Sequence, residues 1–313
     1  MIKSVGRSVH FGADNKTLNK NGEYKDPLMR WPLRAASYSN EVGEALRPVI
    51  GHTAATMSWI PALMYIGADV YDKYKNDQTE YSPNSKRCLQ QAVFQGAASV
   101  LLPSIAVKTG QNAFSQFGKL TKDGISLNHK EQVSQMAEAF IANGKMRFYD
   151  GKDEECVADF VSSVANKVEY KKHTESAKNP IQKVWHKIED GVGTFFETNR
   201  KEKIKDYSKK TINDLIDLRK RLIQPDEATK MSKWYKNFMQ NIADGQTQSV
   251  AVKNTLTQFQ QSRVLKSKAV KTVGGFVALG LAIKPIDKFV EHVLIEKIVS
   301  PGLNKIGGNK KQG

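Results

Sequence analysis

The stretch that organises this chain is Tyr38-Ser39-Asn40-Glu41-Val42-Gly43-Glu44-Ala45-Leu46-Arg47. An apolar run at residues 54–68 follows it and ends in Ala68-Asp69-Val70-Tyr71-Asp72-Lys73. Charged residues therefore lie at both edges of a run that has almost none inside. Such edges are typical of helices that enter an apolar environment, and they make the edge carboxylates the first candidates for function.

Two further apolar runs come later in the chain, at residues 92–107 and 272–283. All three runs are shorter than the ~20 residues that cross a bilayer, but semi-polar flanks can lengthen each of them. Pro61 and Pro103 interrupt the first two runs, which membrane helices tolerate, and Pro285 is expected to close the third. Because Lys and Arg lie at the ends of the runs, we expect three or four membrane helices rather than three buried helices of a soluble bundle.

Two patterns describe how these helices could pack. Residues 37–50 have one apolar stripe with the spacing of an amphipathic helix: Val42, Ala45, Leu46, Val49 and Ile50. Small residues recur every fourth position at Gly274, Ala278 and Ala282, and again at Ala92 and Gly96. Small residues at this spacing let helices approach closely in lipid, so self-association or a protein partner through these faces is expected.

The part between the second and third runs, residues 119–261, has a different character. Helical apolar stripes recur there: Val133, Ala137 and Phe140; Val157, Phe160 and Val164; Ile181, Trp185 and Ile188; and Ile212, Leu215 and Ile216. No strand alternation is evident, so the predicted class is all-α: a small helical membrane core interrupted by a soluble bundle of five or six helices. The predicted divisions are a basic flexible segment at 1–33, core at 34–118 and 262–303, the bundle at 119–261, and a disordered tail at 304–313.

The charge distribution favours lipid over nucleic acid as the anionic partner. Residues 119–261 contain 25 Lys and Arg against 20 Asp and Glu, or +5, so the rest of the chain holds +11 of the total +16. The excess therefore surrounds the apolar runs, which suits acidic headgroups. The two cysteines, Cys88 and Cys156, are too few for a disulfide framework and are expected to be inert thiols.

The sequence contains no pattern that predicts catalysis or a cofactor. No two of the six histidines lie at metal-ligand spacing from each other, and no phosphate-binding or nucleophile motif occurs. We therefore expect a protein that is not an enzyme and has no catalytic, cofactor or metal site. The edge carboxylates remain, and water or headgroups at the segment ends are expected to solvate them: Glu41, Glu44, Asp69, Asp72 and Asp287. Asp69 is expected to pair with Lys73, one turn later.

Four blocks of this sequence resemble the mitochondrial fission process protein 1 family, in family order. They are residues 38–47; Ala68-Asp69 with Asp72-Lys73; Phe94-Gln95, Ala97-Ala98-Ser99-Val100 and Pro103; and Lys284-Pro285-Ile286-Asp287. The family-motif residues are Asn40, Glu41, Gly43, Glu44, Arg47, Asp69, Asp72, Lys73, Gln95, Pro103, Pro285 and Asp287. The resemblance implies a non-enzymatic multi-pass protein of the mitochondrial inner membrane with a role in division or inner-membrane organisation. This chain departs from the family in the large 119–261 insertion.

Two alternatives remain open from the residues alone. The carboxylates at the edges of the runs could serve an ion channel or carrier. The whole chain could instead be a soluble basic scaffold that binds nucleic acid or a protein, although nucleic acid is the less favoured partner. A bacterial relative would lie in the plasma membrane instead of the mitochondrial one.

Overall fold

A computed structural model describes residue 28 and residues 31–75, 85–148, 151–167 and 200–303. Every regular element in these ranges is helical, which confirms the predicted all-α class. The predicted flexible segment lies mostly outside the described residues. The predicted tail at 304–313 and the stripe that contains Trp185 lie outside them entirely.

The helices before residue 121 are α1 Leu33–Ala36, α2 Ser39–Met57, α3 Trp59–Lys75, α4 Ser85–Gln95 and α5 Leu102–Gln116. A π-helical segment, Gly96–Leu101, joins α4 to α5, and a 3-10 turn, Phe117–Leu120, follows α5. The later helices are α6 Leu127–Ala142, α7 Lys145–Phe148, α8 Asp153–Lys167, α9 Arg200–Ile223, α10 Glu227–Lys230, α11 Lys233–Ala243 and α12 Gln248–Phe289. A second π-helical segment, Val290–Val299, follows α12.

The chain forms two compact units. Unit 1 comprises residues 1–111 and 272–313, and unit 2 comprises residues 112–271. The divisions predicted from composition, at 118/119 and 261/262, lie a few residues inside unit 2.

Unit 2 has an apolar core of the kind found in soluble helical bundles. The cluster joins α6, α8, α9 and α11 with the first part of α12, and it includes Val133, Phe140, Phe160, Leu215 and Leu256. The rings of Phe140 and Phe160 meet edge to face, with centroids 5.4 Å apart. The apolar stripes predicted for α6, α8 and α9 therefore do face the core.

Unit 1 is built differently, starting with a tight hairpin in α2. Gly51 has φ 82°, a left-handed conformation that favours glycine, and there the chain reverses direction inside α2. The Ser39 hydroxyl consequently donates to the carbonyl of Ser58 across 2.7 Å. The apolar clusters of unit 1 are small: Ala45, Val107 and Leu279 in one, and Ala98, Val290 and Ile295 in the other.

The apolar stripe predicted on α2 is only partly covered: Ala45 is buried, but Val42, Val49 and Ile50 are exposed, while polar Glu44 is buried. The reason is that other helices supply hydrogen-bond partners to the polar side of α2.

One expectation for unit 1 is wrong: Pro285 does not end a helix. It lies inside α12, which continues to Phe289. A proline removes one helical hydrogen bond, but the helix continues where the rest of its backbone bonds survive.

Candidate functional site

The candidate site is a buried polar network in unit 1 that contains most of the predicted motif residues. Its first centre is Glu44 on α2, which is buried. Two N–H groups of the Arg47 guanidinium, on Nε and Nη2, donate to its carboxylate, the Nε–Oε2 distance being 2.8 Å. Trp59, on α3, donates its indole N–H to Oε1 across 2.8 Å. The Glu44 charge is therefore paired and hydrogen-bonded, as a buried charge must be.

The backbone of Glu44 has a second partner, on α5. Pro48 has no N–H, so the Glu44 carbonyl four residues earlier loses its helical hydrogen bond. The side-chain amide of Gln111 donates to that carbonyl across 2.9 Å and to the Ala45 carbonyl across 3.2 Å. Gln111 thus ties α5 to the part of α2 that the proline weakens.

The same arrangement recurs at Pro103, a proline of the third motif block. It is buried near the start of α5 and cannot supply an N–H to the Ser99 carbonyl. Asn40 on α2 donates its side-chain amide to that carbonyl across 2.8 Å. The first residue of the Asn-Glu-Val-Gly-Glu string therefore satisfies a backbone group that Pro103 leaves without a helical partner.

Gly43 is required by close packing inside the α2 hairpin. A Cβ at this position would lie 1.7 Å from Oγ and 2.6 Å from Cβ of Ser58. No side chain fits there, so the glycine of the motif lets the two arms of the hairpin touch. Gly110 on α5 is similar, because its Cβ would lie 2.3 Å from the Gly274 carbonyl oxygen and 2.4 Å from the Ala278 Cβ. Part of the small-residue stripe on α12 is therefore used within the chain.

The second centre of the network is Asp69 on α3, whose side chain has no solvent exposure. Two amides on consecutive turns of α4 donate to its Oδ2: Gln91, at 2.5 Å, and Gln95. Gln95 in turn accepts a hydrogen bond from the Ser99 hydroxyl at 2.6 Å, and Ser99 is the residue whose carbonyl binds Asn40. One chain of hydrogen bonds thus links α2, α3 and α4.

Lys73 lies beside Asp69 as the i, i+4 spacing predicts. Its Nζ is 4.0 Å from Asp69 Oδ1 and 3.8 Å from Asp72 Oδ2, and all three residues are buried. The expectation that water or headgroups solvate these carboxylates is therefore wrong for Asp69 and Asp72. Partners on α4 and within α3 replace the solvent at Asp69.

Glu41 on α2 and Asp287 on α12 are the remaining predicted edge carboxylates. Glu41 is buried, whereas Asp287 is exposed. The exposure of Asp287 agrees with its predicted place at the edge of an apolar run. The burial of Glu41 disagrees with the expectation that water or headgroups solvate it, because the packing of α2 against its neighbours covers Glu41.

The structure brings most of the predicted residues together and adds three that were missed: Trp59, Gln91 and Gln111. A usable signal existed for the amides, since Gln91, Gln95 and Gln111 are polar residues at helical spacing within or next to an apolar run. Nothing in the sequence indicates which carbonyl or carboxylate each amide contacts.

Two helices have the length and composition of membrane spans within the described ranges. They are Ser85–Leu120 and Gln248–Leu303, with mean hydropathies of 1.3 and 1.5 in their most apolar windows. Only 22% and 28% of those windows are buried inside the protein, whereas the core helix of a soluble protein is mostly buried. The first apolar run belongs to neither span.

Comparison with known proteins identifies one relevant relative. The chain is similar to mitochondrial fission process protein 1 of Caenorhabditis elegans, with 33% identity over 104 residues. The match covers 31% of this chain and 60% of the worm protein. No family model matches the chain, and no solved structure matches it.

Proposed function

We propose that this chain is a non-enzymatic, multi-pass membrane protein in which unit 1 is embedded in lipid. The observation that supports it most is the inverted polarity of unit 1. Its buried side chains include Asn40, Glu44, Asp69, Asp72 and Gln95, while many of its large apolar side chains point outward.

The outward apolar surface of unit 1 is extensive. Met64 is 71% exposed and Leu281 is 74% exposed. Others that are at least two-fifths exposed are Val42, Val49, Ile50, Met57, Ile60, Leu63, Leu101, Val273, Val277, Phe289 and Ile298. Soluble proteins rarely expose apolar area on this scale, because each square ångström moved out of water contributes roughly 25 cal/mol.

The polar interior fits the same proposal. In lipid, water cannot satisfy a freed backbone carbonyl, so a neighbouring side chain must do so. Gln111 and Asn40 do this for the carbonyls that Pro48 and Pro103 leave open. Hydrogen bonds between helices also hold membrane bundles together where hydrophobic burial contributes little.

Membrane fractionation tests this proposal directly. We expect the full chain to stay in the pellet after alkaline carbonate extraction and to need detergent for purification. Met64→Lys with Leu281→Lys should reduce membrane recovery, whereas Met231→Lys, an equally exposed apolar residue of unit 2, should not. Recovery of the unmodified chain in the carbonate supernatant, without detergent, would contradict the proposal.

For the biological role, we propose a part in dividing or organising a mitochondrial inner membrane, or the plasma membrane if the source is bacterial. The similarity to the worm fission process protein supports this role. Deletion should change the number and shape of the membrane-bounded compartments, and the unmodified chain should restore them. Normal compartments in the deletion strain would oppose the role while leaving membrane insertion untouched.

A second candidate is an ion channel or carrier, and the full burial of Asp69 and Asp72 favours it. Buried carboxylates inside membrane proteins often mark ion paths. Asp69→Asn keeps the shape of the side chain and should change ion flux in liposomes if the network conducts. Asp217→Asn, on the exposed side of unit 2, is the matched control. Equal flux for Asp69→Asn and the unmodified chain would oppose a conducting role.

A further inference from the structure

The strongest unassigned feature is the end of unit 2 through which the chain enters and leaves that unit. The chain passes from unit 1 to unit 2 after residue 111 and back after residue 271. Both crossings meet at the start of α6. The Ser115 hydroxyl accepts from the backbone N–H of Asn128 across 3.0 Å, and Lys271 Nζ donates to Asn128 Oδ1 across 3.2 Å. One end of unit 2 therefore carries both connections to unit 1.

The loop at residues 117–124 forms part of this end and is held firmly. Gly118 packs so closely on the start of α6 that a Cβ would lie 2.6 Å from the Ile125 carbonyl oxygen. The Thr121 hydroxyl donates to the Gly118 carbonyl across 2.6 Å, and Lys130 donates to the same hydroxyl across 2.7 Å. The direction in which the loop presents its side chains is thus fixed by contacts within unit 2.

Two apolar side chains of this loop point away from the protein. Leu120 is 83% exposed and Phe117 is 51% exposed. Ile125, which directly follows the loop, is buried and belongs to the core of unit 2. Single exposed apolar side chains are common on protein surfaces, so the charge around Leu120 has to identify what it contacts.

Lysines whose charges are not paired surround the loop. Lys122 lies in it, and Lys203 on α9 lies beside Gly124, with Nζ 3.4 Å from the place that a Gly124 Cβ would take. Lys266 lies a little more than one turn before Lys271 on α12. Lys122, Lys203 and Lys266 are exposed and form no ion pair within the described ranges. Their charges are therefore available to an anionic partner.

The buried and half-buried carboxylates at this end are neutralised by other lysines. Asp123 pairs with Lys130 and Lys210, at 2.5 and 2.7 Å, and Glu131 pairs with Lys271. Two exposed carboxylates remain on the first turns of α9, each next to a lysine in the sequence: Glu202 and Asp206. This end of unit 2 is consequently positive.

We propose that this end of unit 2 is a membrane-docking surface for acidic lipids, with Leu120 and Phe117 between the headgroups and the lysines on their phosphates. An acidic bilayer fits better than an acidic protein or a nucleic acid, because apolar side chains together with lysines are typical of membrane interfaces. The position fits as well, since the first helix with the composition of a membrane span, Ser85–Leu120, ends at this loop. The inference rests on the membrane proposal for unit 1 and adds a lipid site to unit 2.

A fluorescent probe at residue 120 tests the docking surface in the full chain. Leu120→Cys, in a Cys88→Ser background, is labelled with a dye whose emission shifts to the blue in apolar surroundings, while Cys156 is buried. The labelled chain is incorporated into vesicles of phosphatidylcholine, with or without phosphatidylglycerol, that contain a lipid with a quencher on its acyl chain. We expect a blue shift and quenching, both larger when phosphatidylglycerol is present.

The matched control for the probe is Met231→Cys. Met231 is 75% exposed and follows the C-terminal end of α9, whereas Lys203 lies near the N-terminal end of that helix. A probe at residue 231 should keep the emission of a dye in water and should not be quenched in either vesicle.

Charge variants test the role of the lysines. Lys122→Gln with Lys203→Gln should reduce quenching of the residue-120 probe in acidic vesicles to its value in phosphatidylcholine alone, because lysines near an acidic bilayer are attracted to it. Arg221→Gln with Lys236→Gln removes the same charge from exposed positions of unit 2 beyond the first turns of α9, and it should leave the quenching unchanged.

Three results would overturn the proposal. The first is a residue-120 probe that is quenched no more than the residue-231 probe, and the second is quenching that Lys122→Gln with Lys203→Gln leaves unchanged. The third is an unquenched probe together with salt-dependent RNA binding that the same variant abolishes, which would assign the surface to nucleic acid.

Carbonate extraction of the same vesicles separates this inference from the membrane proposal. Loss of the chain from the vesicles during extraction would overturn both. Retention of the chain with an unquenched residue-120 probe would overturn the docking surface alone.

Discussion

The side-chain amide of Gln111 donates to the backbone carbonyl of Glu44 across 2.9 Å. The carbonyl is open because Pro48, one turn later in α2, has no N–H to offer it. Asn40 has the same relation to the Ser99 carbonyl, which Pro103 leaves open. Two prolines thus create polar backbone sites in the middle of helices, and two amides from other helices occupy them. This exchange of local for tertiary hydrogen bonds holds α2 to α5 and to the π-helical segment that contains Ser99.

Substitution of Gln111 tests that exchange. Gln111→Leu keeps the size of the side chain but removes the donor, so it should lower the free energy of unfolding by about 1–3 kcal/mol. Pro48→Ala returns the missing N–H to α2, and in that background Gln111→Leu should cost less. Thermal or denaturant unfolding in detergent is measured for the unmodified chain, the two single variants and the double variant. The four free energies of unfolding give the coupling energy between Gln111 and Pro48. A cost for Gln111→Leu that is the same in both backgrounds would contradict the proline explanation.

The glycine of the α2 hairpin should tolerate no side chain. Gly43→Ala places a methyl group 1.7 Å from Ser58 Oγ, and the resulting overpacking should lower stability by about 1–3 kcal/mol. Ser58→Gly should recover most of that loss when combined with Gly43→Ala. The matched control is Gly67→Ala in α3, where a Cβ meets nothing within 4 Å and a helical alanine should stabilise by up to about 1 kcal/mol.

Unit 2 should lose stability in acid through Asp123. Partial burial by itself raises the pKa of this carboxyl, but hydrogen bonds from Lys130 and Lys210, at 2.5 and 2.7 Å, lower the pKa below its usual value. A lowered folded-state pKa contributes stability that is present above the unfolded pKa of about 3.9 and is lost as pH falls through the folded value.

Denaturant midpoints as a function of pH measure this contribution. The unmodified chain should be more stable than Asp123→Asn near neutral pH, and the difference should shrink below about pH 4. Asp217→Asn, which removes an exposed carboxylate of α9, should show a much smaller difference at every pH. Equal pH profiles for Asp123→Asn and the unmodified chain would mean that the two lysines contribute no net stability.

Cys156 should be an unreactive thiol until unit 2 unfolds. It is 1% exposed, and its thiol donates to Met146, with Sγ and Sδ 3.8 Å apart. Burial raises the pKa of the Cys156 thiol to about 11. Since the thiolate is the reactive form, alkylation at neutral pH should be slow. Cys88, which is half-buried, should react first. Peptide mass spectrometry after limited alkylation checks the order, and denaturant should abolish the difference between the two cysteines.

Individual residues show how much of the fold can be predicted from the sequence. Periodicity predicts α6, α8 and α9 well, because the apolar stripes of a water-facing bundle necessarily point to its core. The same rule fails for Val42, Val49 and Ile50, which form an equally regular stripe on α2 and point outward. The stripe identifies a face of the helix, but the environment outside decides which face is covered.

The candidate site shows the same division. The sequence by itself determined the helices, the apolar runs and the spacing that puts Asp69 next to Lys73. It also determined that the two prolines leave backbone carbonyls without a helical donor. Only the tertiary structure decided that Asp69 is buried against Gln91 and Gln95, and that Gln111 and Asn40 donate to the carbonyls that the prolines leave open. The physical reason is that spacing along a helix sets which side chains share a face, whereas hydrogen-bond partners and burial depend on helices that are distant in the chain.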